Sequence, residues 1–118
     1  MHASVELDTA CITDWASFHD VSARTLGFPA FYGRNMNAWV DCMTSLDDPA
    51  DGLTRVHAPA GGVLVLCLTD ATAFAARCPA IFQALVECAA FVNYRRREAG
   101  ETPVLALSFF REAPAAPG

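Results

Sequence analysis

The chain has 118 residues, of which 53% are hydrophobic and 18% charged, so it is neither disordered nor too short to bury a core, and one domain is expected. Its formal net charge of −5 argues against a nucleic-acid partner, whose phosphates would repel it, and suits a basic protein better, although charge alone does not decide this. The longest aliphatic run, Val63 to Leu68, is too short to cross a bilayer, so no membrane partner is expected.

Along the chain, Val5 and Leu7 alternate with Glu6 and Asp8, a short first strand. Thr13 is a suitable helix N-cap, with Asp14 beside it at the positive end of the dipole. Trp15, Phe18, His19, Ser22 and Leu26 follow at helical spacing until Gly27-Phe28-Pro29 stops the helix. A second helix is expected from just after Gly33 to about Leu46, and Asp47 to Gly62 reads as a long surface loop. Val63 to Leu68 is a continuous apolar run, fitting a strand buried on both faces. Asp70 is placed to cap a short helix through Arg77, and Pro79 to begin the next. Ile81, Phe82, Leu85, Val86, Ala89 and Val92 form that helix's apolar stripe, which ends at Gly100. Val104 to Phe110 makes the last strand. Residues 1–110 are thus one domain, and Arg111 to Gly118, rich in proline and alanine, reads as a flexible tail. Helices between successive strands imply parallel pairing, hence an α/β fold.

Five cysteines, an odd number with no Cys-x-x-Cys pair, read as reduced thiols, and their spacing fits no zinc site. Met1-His2-Ala3-Ser4 shows no basic stretch leading into an apolar one, so a cytoplasmic protein is expected.

The segment from Phe28 to Leu46 carries the most information. On a helical wheel Met36, Trp39, Met43 and Leu46, with Cys42 beside them, form an apolar face. Arg34, Asn37, Asp41 and Thr44 form the opposite, polar strip, bordered by Val40 and Ser45, with one carboxylate in it. The residues Phe28-Pro29, Phe31-Tyr32-Gly33, Asn35, Asn37-Ala38, Asp41-Cys42 and Thr44 together resemble the signature of the barstar family, intracellular inhibitors of bacterial ribonuclease. The resemblance implies a three-stranded parallel β-sheet packed with about four α-helices. It also implies that the second helix and the turn before it enter a ribonuclease active site.

Carried over by position, Asp41 would take the place of a substrate phosphate, because arginine binds a carboxylate in bidentate fashion once water is excluded. Phe31 would pack on the enzyme's catalytic histidine, with Asn35 and Thr44 as polar contacts and Asn37 and Val40 on the same strip. Gly33 would give the turn backbone freedom for close approach, and Tyr32 would lie partly in the core. The sequence also departs from the family. Phe31 lacks a tyrosine hydroxyl, Asn37 replaces a second acid, Val40 an exposed tryptophan, and Arg34 a negative charge. These departures point to a basic ribonuclease or nuclease toxin other than barnase, with Asp47, Asp48 and Asp51 as a further source of negative potential.

Three other readings stand beside this one. Cys42 with His19 or His57 would make a thiol enzyme, but Cys42 lies on the apolar face, so no enzyme is expected. Arg95-Arg96-Arg97 would contact nucleic acid, but these arginines sit at a helix end, where cations offset the dipole. A barstar fold used as an interaction module without a ribonuclease target is the alternative that remains. No cofactor or metal is expected, and the free protein is expected to be a monomer.

Overall fold

The computed structural model of the chain describes residues 1–110; the tail expected at 111–118 lies outside them. Three strands, β1 (His2–Leu7), β2 (Val63–Leu68) and β3 (Leu105–Phe109), form one parallel sheet in the order β1-β2-β3. Four α-helices accompany them: α1 (Trp15–Leu26), α2 (Met36–Thr44), α3 (Ala71–Arg77) and α4 (Pro79–Glu98). Right-handed crossovers in this strand order stack the helices on one face of the sheet. Burial agrees, because Leu7, Leu64, Leu66, Leu68 and Leu105 are buried whereas His2, Ser4 and Glu6 are exposed. On that second face Val63 and Val65 are only half-buried, so β2 is covered completely on one side and partly on the other.

Local chemistry fixes the helix ends. Asp14, not Thr13, is the N-cap of α1. Its Oδ1 accepts from the Ser17 N–H at 2.8 Å, and Ser17 Oγ accepts from the Asp14 N–H at 3.0 Å, a reciprocal capping box. Gly27 ends α1 at φ 70°, where a Cβ would also meet Arg55 Cβ at 2.5 Å. Asn35 caps α2 through Oδ1, which accepts from the Ala38 N–H at 2.8 Å. Asp70 stands before α3 in left-handed backbone (φ 43°) and makes no capping bond. The Ala71 N–H instead donates to the Phe110 carbonyl at 2.7 Å.

The stretch expected to be a surface loop is tied to the core. It holds a 3₁₀ turn at Pro49–Asp51, and buries Thr54 and Ala58. Its Arg55 N–H donates to the Leu26 carbonyl and its Ala58 N–H to the Leu46 carbonyl, both at 2.9 Å. Backbone groups under a packed segment must find such partners. Trp39, Phe18 and Phe74 are the largest fully buried side chains of the core. Among the described residues no single helix is long and apolar enough to cross a membrane.

Two polar side chains of α4 join the layers. Asn93 Nδ2 donates to the Leu105 carbonyl at 2.8 Å, and its Oδ1 accepts from the N–H groups of Val104 (3.0 Å) and Leu105 (3.3 Å). Arg96, only 3% exposed, donates to Thr102 O (2.7 Å), Thr44 O (3.0 Å) and both carboxylate oxygens of Asp47 (2.9 and 2.7 Å). A buried guanidinium is tolerated only with this degree of satisfaction. Asp47→Ala, which leaves that charge without its main partner, should destabilise the fold by about 3 kcal/mol, read from the midpoint of urea unfolding.

Candidate functional site

The turn before α2 is built by dividing its two aromatics. Tyr32 turns inward, packs on Phe28 with ring centroids 4.6 Å apart, and bonds through its hydroxyl to His19 Nδ1 at 2.6 Å. Phe31 is thereby turned outward and is 78% exposed. Arg34 fastens the turn to α1, donating from Nη1 to Asp20 Oδ1 at 2.8 Å and from Nη2 to the Ala16 carbonyl at 3.1 Å.

The left-handed residue of this turn is Arg34, at φ 54°, and not Gly33. Gly33 has no left-handed backbone, and a Cβ there would lie at van der Waals distance, 3.4 Å, from Ala38 Cβ and Asn35 Nδ2, so the turn itself does not require glycine. The two bonds of the Arg34 guanidinium hold a backbone conformation that a non-glycine residue adopts at some cost.

On α2, Asn37 and Asp41 are exposed, while Trp39, Cys42 and Met43 are buried as the wheel requires. Val40 departs from expectation. It is 3% exposed and belongs to the core, because α2 packs on α4 as well as on the main core and so is covered along two flanks. Val40 is therefore a packing residue and not part of the exposed strip. Thr44 is half-buried and its hydroxyl donates to the Val40 carbonyl at 2.7 Å, while Asn35 is engaged as the cap. Phe31, Tyr32, Gly33, Ala38, Asp41, Cys42 and Leu53 surround a shallow pocket of about 200 Å³. The structure thus gathers Phe31, Gly33 and Asp41 at one surface, with Asn37 exposed on the same helix.

Asp41 and Asp47 are each paired with an arginine of α4. Arg95 of α4 donates from Nη1 to Asp41 Oδ1 at 2.7 Å, with both side chains partly exposed. The arginines 95–97 are therefore not only a helix-end feature, since Arg95 meets Asp41 and Arg96 is buried against Asp47. Asp47 is thereby neutralised, Asp51 accepts from Ser45 Oγ at 2.7 Å, and Asp48 caps the 3₁₀ turn through Ala50 N–H at 3.2 Å. Sequence reasoning missed the part of Arg95 and of Leu53. Both lie far from Asp41 along the chain, and an arginine run or a loop leucine carries no sign of its partner.

Burial raises the Cys42 thiol to about 11, helped by Asp41, so it stays protonated at neutral pH and is no nucleophile. Burial likewise pushes the Tyr32 phenol up and, with the nearby Arg34 charge, pushes His19 down. Among the described residues no three His, Cys, Asp or Glu side chains gather where they could hold a metal ion.

A family model described as Barstar (barnase inhibitor) matches residues 2–108, nearly the whole chain. A comparison with curated proteins found no match.

The His19–Tyr32 pair sets a pH dependence for the turn. Because the folded state depresses the His19 pKa, chiefly by burial and then by Arg34, with Asp20 opposing, the unfolded chain binds the proton first. Stability should be full above about pH 6.5, the ordinary histidine value, and fall as acid carries the protein toward the folded pKa. In His19→Gln that slope should vanish from the pH series of unfolding midpoints. Tyr32→Phe should cost about 1 kcal/mol without changing the fold.

Proposed function

The chain belongs to the barstar family, and on that footing we propose that it is a proteinaceous inhibitor of a ribonuclease or nuclease toxin, binding through α2 and the turn before it. The observation that carries this reading is Phe31, held out at 78% exposure beside the exposed carboxylate of Asp41. A large aromatic on a braced turn next to an anionic group is the composition of a binding hot spot. Asp41 takes the position of a substrate phosphate and receives the enzyme's guanidinium groups, which grip a carboxylate with two parallel bonds when water leaves. Phe31 covers the catalytic residues, with Gly33 beside it and Asn37 exposed on the same helix as Asp41. Tyr32, Asn35 and Thr44 act as positioning residues, through the His19 bond, the α2 cap and the Val40 carbonyl respectively.

The inhibitor works by occlusion and performs no chemistry of its own. The net charge of −5 draws a basic enzyme toward it. Its five free cysteines suit a reducing cytoplasm, where it protects the host as a monomer.

The test is inhibition of a panel of small microbial ribonucleases, barnase included, by the wild type, Asp41→Ala and Phe31→Ala. Asp41→Ala should weaken inhibition by about 2–5 kcal/mol, a range drawn from barnase–barstar, the family's own case. Phe31→Ala should weaken it by more than about 1 kcal/mol. Phe31→Ala should keep the wild-type unfolding midpoint, because its side chain is exposed, and Asp41→Ala should lose no more than about 1 kcal/mol, the scale of its exposed ion pair with Arg95. Inhibition indifferent to either change would reject this interface. If no enzyme is inhibited, the interaction-module reading takes its place.

A further inference from the structure

The carboxylate on which the proposed interface turns is already occupied. Arg95 Nη1 holds Asp41 Oδ1 at 2.7 Å, and a partner's guanidinium would compete for that same oxygen. The contact engages a single oxygen, with Arg95 and Asp41 still 42% and 63% exposed, so it can open. Its geometry is nonetheless fixed. Arg95 precedes Arg96, whose bonds to the Thr44 carbonyl and to Asp47 lock the end of α4 against the end of α2.

We infer that Arg95 is a specificity-determining residue of this site: an internal guanidinium that occupies Asp41 and selects the class of nuclease able to displace it. The inference rests on the reading of α2 as a nuclease-binding surface. A uniformly basic cleft is disfavoured twice, since it must break the Asp41–Arg95 pair and then face an unpaired Arg95. The favoured partner offers Asp41 a two-pronged guanidinium, two bonds in place of one, and places no cation against the released Arg95. Discrimination by a repulsive group in this manner needs no new attractive contact.

The test compares Arg95→Ala, Asp41→Ala, their double variant and Arg97→Ala for inhibition of the panel of basic ribonucleases. Arg97 is exposed on the same helix, so its loss is the control for net charge. Arg95→Ala should tighten inhibition about fivefold, the scale of an exposed ion pair. The gain should disappear in the Asp41→Ala background and be absent in Arg97→Ala. Weakened or unchanged inhibition by Arg95→Ala overturns the inference while leaving the inhibitor reading intact, and so does a gain that Arg97→Ala reproduces. If no protein of the set inhibits any enzyme, the inhibitor reading itself fails, and a tetra-arginine peptide followed by amide chemical shifts decides about Arg95. Binding near Phe31 to Asp41 about fivefold tighter in Arg95→Ala, and lost on removal of Asp41, supports the inference; equal affinity overturns it.

Discussion

The buried guanidinium of Arg96 is the constraint around which the rest of this molecule is arranged. It is almost wholly withdrawn from water, so each of its donors that lacked a protein acceptor would carry a desolvation cost. Its acceptors come from three places: the last residue of α2 (Thr44), the start of the following loop (Asp47) and the turn before β3 (Thr102). Satisfying one side chain therefore sets α2, α4 and the approach to β3 in a single relative position. That position in turn brings Arg95 within 2.7 Å of Asp41.

A second and smaller constraint acts at the other end of α2. Tyr32 and His19 are both buried and bonded to each other, and Arg34 is fastened to α1 through Asp20 and the Ala16 carbonyl. With both ends of the segment held, Phe31 is presented by a rigid frame. A surface group that needs no ordering on contact loses less entropy when it binds. The same apolar packing that stabilises the fold thus prepares the exposed face.

Much of this was legible in the sequence, and the reasons are local. The β2 run, the α1 and α4 stripes, the Gly27 stop and the Pro79 start all follow from patterns within a few residues. The inward face of α2 followed from its wheel, as did the exposure of Asn37 and Asp41. What could not be read depends on partners distant along the chain. Val40 borders the polar strip on a wheel, yet it is buried in the core. The 47–62 stretch has a loop's composition, but its backbone bonds to Leu26 and Leu46 draw it inward. Arg95, Arg96 and Arg97 are identical as letters, and only the fold separates a pair for Asp41, a buried clamp and an exposed charge. The left-handed backbone expected at Gly33 falls instead on Arg34, whose guanidinium is bonded to α1 at Asp20 and the Ala16 carbonyl, partners the sequence does not reveal.

The amide of Asn93 also acts on the outer edge of the sheet. In the parallel register Leu64 lies opposite Leu105 and bonds through its N–H to the Val104 carbonyl, so the Leu105 N–H and carbonyl point away from β2. Asn93 meets both groups, one with its oxygen and one with its nitrogen, as the peptide of a fourth strand would. An open edge rich in leucine invites a foreign strand to continue the sheet, which is how edge-to-edge polymers begin. Here the first rung of that ladder is already taken by a side chain of the same molecule. At the first residue of β3 the outer edge is thus already closed by a helix side chain, and a foreign strand would have to displace the Asn93 amide to pair there.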